Sequence, residues 1–152
     1  MSVSQNTDLS TFLEQQIQRE ENCVSMYTRF AGIASDPKLR SMFHEFAKTA
    51  QDHRDGLRSL VTQQGVFEDG VIQNRITQEA VTGSPQWAMP PVRGRDEDMI
   101  ADSLLSMRAL SESYRSALRM VSDESVAAAL IGMRQEEDRQ KEQLGRYLHE
   151  RT

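Results

Sequence analysis

Apolar side chains recur along four stretches of this chain in alternating steps of four and three. The first stripe is Leu9, Leu13, Ile17, Glu20, Val24, Tyr27, Ala31 and Ala34. The second is Leu39, Phe43, Phe46, Ala50, His53, Leu57 and Leu60. The third runs Ile100, Leu104, Met107, Ser111, Tyr114, Leu118 and Val121, and the fourth Val126, Leu130, Met133, Glu137, Gln140, Leu144 and Tyr147. Such spacing keeps one face of a helix inward, and no stretch alternates with a period of two. The pattern therefore predicts four amphipathic helices, over residues 8–34, 37–61, 98–121 and 124–149, and no strands. Ser35-Asp36-Pro37 supplies a cap and a first-turn proline between the first two helices. Ser122-Asp123-Glu124 does the same between the last two, without the proline. Turns this short make each pair an antiparallel hairpin.

An offset of 87 residues lays one hairpin on the other without a gap. It pairs Tyr27 with Tyr114, Ser35 with Ser122, Asp36 with Asp123 and Leu57 with Leu144, and every stripe position falls on a stripe position. The reading is a duplicated hairpin. Between the hairpins lies a connection of residues 62–97, far longer than an ordinary helix–helix loop. Glycine and proline concentrate there. Its apolar residues Val66, Phe67, Val71, Ile72, Ile76, Val81 and Trp87 are expected to pack on the bundle, where a disordered linker would be polar. A connection of that length can travel back along the bundle and let the second and third helices run parallel. The expectation is one all-α domain over residues 1–152, a ferritin-like four-helix bundle of two hairpins with a long crossover.

Composition narrows the partners. The chain carries 18 Lys and Arg against 23 Asp and Glu, a formal charge of −5, and its basic residues are dispersed, which argues against nucleic acid. The longest apolar run, 126–133, is too short to cross a bilayer. The N-terminal residues lack the pattern of a signal peptide, so a cytoplasmic location is expected. A lone Cys23 rules out a disulfide framework within the chain. No Gly-rich phosphate loop, Gly-x-Ser-x-Gly or Ser/His/Asp set occurs, which leaves no case for nucleophilic hydrolysis.

The informative residues break the stripes. Glu20, His53, Glu137 and Gln140 stand where Leu or Ile belongs, and a buried carboxylate needs a cation, a hydrogen bond or a proton. Counted from the hairpin turns, Glu20 lies 16 residues before Asp36 and His53 17 after it; Met107 lies 16 before Asp123 and Gln140 17 after it. That count puts the four in one layer, with Glu137 one turn away and Tyr27 and Tyr114 two turns away. A polar cluster of Glu20, His53, Glu137 and Gln140 is the prediction. His44 and His149 are expected at the surface, Cys23 in the core, and the mixed charges of 134–142 on a solvated face.

Glu20, Tyr27, Phe30 and Ala31 resemble the first helix of rubrerythrins, and the segments around His53 and Glu136 to Gln140 resemble the Glu-x-x-His helices of the ferritin-like superfamily. In that superfamily two helices give a Glu each and two give a Glu-x-x-His pair, which together hold two metal ions. Glu20, His53 and Glu137 match the pattern. Ala50, Met107 and Gln140 replace the other three ligands, so the resemblance implies a degenerate site. A second resemblance, over 99–148 and more faintly 9–60, is to the spore coat protein F family. It rests on Asp102, Leu105, Ser106, Arg108 and Tyr114, followed by Ala117 and Leu118, with Arg108 in place of that family's Lys.

These resemblances imply a non-catalytic structural or assembly protein, self-associating or binding other proteins, and spore-associated as the coat F family is. The alternative is a rubrerythrin-like protein with a reduced site on Glu20, His53 and Glu137. No cofactor is expected in the first case. In the second, two carboxylates and an imidazole suit iron, manganese or zinc.

Overall fold

The computed structural model describes residues 2–64 and 96–151, with side chains over 9–62 and 96–151. Four helices make up the described residues: α1 (Ser2–Ile33), α2 (Pro37–Gln64), α3 (Asp96–Leu118) and α4 (Glu124–Arg151). The protein is all-α, as the apolar spacing predicts. The boundaries differ by three residues or more at three ends, one of them α2, which runs on to Gln64 rather than stopping at 61. α1 begins at Ser2 rather than near residue 8, because no proline or glycine interrupts its polar first turns and adding turns to an existing helix costs little. α3 stops at Leu118 rather than at residue 121. There the amides of Arg119, Met120 and Val121 bond back three residues instead of four, to Ser116, Ala117 and Leu118, which tightens the last turn and ends the helix. The expected packing of Val66, Phe67, Val71, Ile72, Ile76, Val81 and Trp87 falls outside the described residues.

Both short turns are capped by aspartate. Asp36 Oδ1 accepts from the Lys38 amide at 3.0 Å. Asp123 Oδ1 accepts from the amides of Ser125 and Val126 at 2.8 and 3.2 Å and from the Ser125 hydroxyl at 2.6 Å. Each satisfies helix-start amides that would otherwise lack a partner. The turns fold α1 onto α2 and α3 onto α4, and the hairpins then pack side by side, α1 against α3 and α2 against α4. The α2–α4 seam is the most open of the four.

The direction of the second hairpin follows from one carboxylate. Asp96, the first residue of α3, accepts from the Ser35 amide at 2.9 Å, the Ser35 hydroxyl at 3.0 Å and the Asp36 amide at 3.2 Å. Arg151, at the end of α4, reaches the same carboxylate at 3.1 Å, and the Tyr147 hydroxyl donates to Asp36. α3 therefore starts, and α4 ends, beside the α1–α2 turn. α2 and α3 run parallel, so the connection must span the bundle's length, about 42 Å for the 28 residues of α2 at about 1.5 Å each.

The core fills from the predicted stripes. Leu13, Ile17, Leu39, Phe43, Leu57, Met99, Ile100, Leu130 and Leu144 are fully buried. Each such side chain contributes about 1.5–3 kcal/mol relative to exposure. Near the first turn Tyr27, Phe30, Phe43 and Phe46 form an aromatic cluster, with Tyr27–Phe46 and Phe30–Phe43 edge-to-face at 5.5 and 5.3 Å between ring centres. Gly56 lets the Met133 methyl lie close to α2, since a Cβ there would stand 2.8 Å from Met133 Cε. Among the described residues, no helix is long and apolar enough to cross a membrane.

Candidate metal centre

The stripe-breaking acids and imidazole meet inside the bundle. Glu20 from α1, His53 from α2 and Glu137 from α4 are all buried, and each offers one donor atom within 4.8 Å of the others. His53 Nδ1 stands 3.2 Å from Glu20 Oε2 and 3.3 Å from Glu137 Oε2. Its other nitrogen, Nε2, is 2.6 Å from Glu136 Oε1. From α3 the Tyr114 hydroxyl donates to Glu20 Oε2, and the Tyr114 ring meets the imidazole edge-on at 6.1 Å between ring centres. Every helix thus contributes to one buried network.

The electrostatics follow from that geometry. Burial works against a charged imidazole, but the bonds to Glu137, Glu20 and Glu136 outweigh it and raise the His53 pKa to about 10. Near neutral pH the ring is an imidazolium that donates from both nitrogens. Burial and the neighbouring Glu20 charge push the Glu137 carboxyl upward, against the pull of His53. Burial also raises Tyr114, helped by the Glu20 charge. Cys23 rises for the same reasons, burial first and then Glu20 and Glu137, which keeps it a thiol rather than a nucleophilic thiolate.

Two oxygens in the cluster are left over. Glu20 Oε1 and Glu137 Oε1 are buried with no partner among the described residues. A buried acceptor left unmade costs about 1–3 kcal/mol, so two in one cluster point to a missing cationic or hydrogen-bonding group. Together with the imidazole they fit one cation. They do not fit a pair. The positions that would complete a dinuclear set hold Ala50 and Met107, both buried and neither able to bridge two ions, and Gln140 in place of an imidazole.

The structure brings together Glu20, His53 and Glu137. Gln140 is buried and lines a recess of about 230 Å³ between α2 and α4, with Glu45, Phe46, Thr49, Glu136, Arg139 and Gln143. Counting from the turns misplaces Tyr114, which sits at the cluster rather than two turns from it. The count treats the two turns as equivalent reference points. They lie at opposite ends of the bundle, so heights counted from them run in opposite senses and equal counts coincide only at mid-length. Glu136 was absorbed into the solvated charge run; its signal was its position beside Glu137, which lets one turn of α4 offer a carboxylate on either side of the imidazole. His44 and His149 are exposed and Cys23 is buried, as expected.

The repeat explains one further orphan. It pairs Tyr114 with Tyr27 and Glu20 with Met107, so the counterpart of the Tyr114–Glu20 bond would join Tyr27 to Met107. A thioether is a poor acceptor, and the buried Tyr27 hydroxyl has no partner among the described residues.

A scan of protein-family models finds no match to the chain, and a search of curated proteins finds no similar sequence. What the residues define is a four-helix all-α bundle with a buried Glu/His/Glu cluster.

Two predictions follow from the network. Because His53 binds its proton more tightly folded than unfolded, the stability it contributes is fully present below about pH 6.5 and is lost as pH rises through about 10. The difference in urea midpoint between wild type and His53→Gln should therefore shrink steadily from pH 6 to pH 10. The two tyrosines should also respond unequally. Tyr114→Phe removes a donor from a buried carboxylate and should destabilise by about 1–3 kcal/mol, whereas Tyr27→Phe removes an unpartnered hydroxyl and should be neutral or stabilising, both read from urea unfolding at pH 7.

Proposed function

We propose that the protein is a rubrerythrin-like, non-catalytic bundle that holds a single divalent cation at Glu20, His53 and Glu137. The observation that carries this reading is that Glu20, His53 and Glu137, all buried, each bring one donor atom within 4.8 Å of the others, while each acid keeps a second oxygen without a partner among the described residues. Two carboxylates and an imidazole suit iron, manganese or zinc. Glu20 and Glu137 would supply charge, and His53 Nδ1 would supply a nitrogen after losing its proton. Glu136 would then accept from Nε2–H and fix the ring's tautomer, as carboxylates commonly do behind metal-bound histidines. The cation would replace the charge that the imidazolium provides to the acids. Two-metal oxygen chemistry is not proposed, because Ala50, Met107 and Gln140 leave too few ligands.

Protein reconstituted anaerobically with ferrous iron, manganese or zinc, then desalted, should retain about one equivalent of one of them by elemental analysis. Glu20→Ala and His53→Ala should lose it while keeping the helical circular dichroism of the wild type. Retention of none of the three metals by the wild type would sink the reading. Affinity should rise with pH, since the ion must displace the His53 proton.

A second reading, the assembly protein of the coat F resemblance, draws on the outer face of α3. Asp102, Leu105 and Arg108, the residues that carry that resemblance, are all solvent-exposed, and Leu105 is 65% exposed. It is the most exposed large hydrophobic side chain among the described residues. If this face joins copies of the chain, sedimentation analysis should show an oligomer that Leu105→Glu converts to monomer. A wild type that is monomeric at high concentration would count against it.

A further inference from the structure

The His53 ring spans the whole distance from the interior cluster to the protein's edge. Its Nδ1 belongs to Glu20 and Glu137, which are buried, whereas its Nε2 belongs to Glu136, whose side chain is 49% exposed. Of the three carboxylates touching the imidazole, Glu136 alone reaches water. It does so on the wall of the recess between α2 and α4, the seam at which the helices pack least closely.

The recess has the chemistry of a cation path. Two carboxylates, Glu45 and Glu136, stand against one guanidinium, Arg139. Thr49, Gln140 and Gln143 add neutral oxygens that can replace waters of a partly dehydrated ion. About 230 Å³ accommodates such an ion with several of its waters. Glu20, His53 and Glu137 do not line the recess; Glu136 does, and its bond to His53 Nε2 is what joins the recess to the cluster. An exposed carboxylate changes rotamer in picoseconds to nanoseconds, far faster than a helix can move, so this bond is the part of the wall that can open.

We propose that the α2–α4 recess is the entrance through which a divalent cation reaches the buried cluster, and that Glu136 is its gate. Swung outward, Glu136 captures the ion in the recess and frees the imidazole. Swung inward, it holds Nε2 and shuts the cluster from solvent. The proposal rests on the one-cation reading of Glu20, His53 and Glu137 and adds the route and the residue that controls it. A gate speeds arrival and departure alike, so its loss alters rates in both directions and leaves capacity and affinity nearly unchanged. That separates it from a ligand, whose loss weakens binding.

The test is stopped-flow mixing of the full chain with cobalt(II), a coloured probe for oxygen and nitrogen sites, followed by chase with a chelator. Wild type, Glu136→Gln, Thr49→Trp and the control Glu112→Gln are compared. Glu136→Gln removes the capturing charge and Thr49→Trp fills the recess. Each should slow uptake and release about tenfold with stoichiometry unchanged, the scale on which a charged cleft accelerates arrival. Glu112→Gln, on the exposed face of α3, should match wild type. Wild-type rates in both Glu136→Gln and Thr49→Trp overturn the gate and leave the one-cation reading intact. Glu136→Gln keeps an oxygen that can still accept from His53 Nε2–H and hold the ring's tautomer, so faster release with lost affinity in that variant also overturns the gate, by making Glu136 a ligand. A wild type that takes up no cobalt, iron, manganese or zinc overturns both.

Discussion

A charged imidazole held among three carboxylates is the constraint around which this interior is organised. Leucines in the neighbouring layers would pack with any helix of similar size. The layer of Glu20, His53 and Glu137 is tolerable only if α1, α2 and α4 bring their partners to within hydrogen-bond distance of one another. Removing His53 alone leaves two acids facing each other with little to neutralise them. Removing one acid leaves the ring with less to hold its proton. The network therefore specifies register among three helices in a way that apolar side chains cannot, while its two unfilled oxygens keep it receptive to a further positive group.

Much of this was legible from spacing. Four stripes of helical period, two aspartate-capped turns and a connection too long for a simple loop gave the architecture, because each is a local signal that tertiary contacts only reinforce. Glu20, His53 and Glu137 stood out because a carboxylate or an imidazole in a core stripe demands a partner. What remained hidden was relative height between hairpins. Within a hairpin, residue numbers measure height from a shared turn. Between hairpins that turn at opposite ends they do not, so the count places Tyr114 two turns from the layer it shares with Glu20. Glu136 was hidden for a different reason. On a helical surface a functional carboxylate and a solvated one look alike until the group it touches is known.

The duplication also shows how an interior can diverge by halves. Residues 20 and 107 occupy equivalent places in the repeat, yet one is an acid bonded to Tyr114 and the other a thioether, and the matching Tyr27 hydroxyl has no partner among the described residues. Ala50 and Glu137 diverge in the same way. The first hairpin keeps the imidazole and the second keeps the pair of adjacent acids, so neither half holds the full set and the cluster exists only when both are docked.

Asp96 carries a topological consequence. Two antiparallel hairpins can be joined with their turns at the same end or at opposite ends, and apolar stripes of similar period bury well either way. In the same-end arrangement Asp96 would lie about 42 Å from Ser35, at the far pole of the bundle, and the Ser35 and Asp36 amides would lose their acceptor. A single side chain at the mouth of α3 thus discriminates between two foldings of one helical inventory, independently of the course taken by the segment that precedes it.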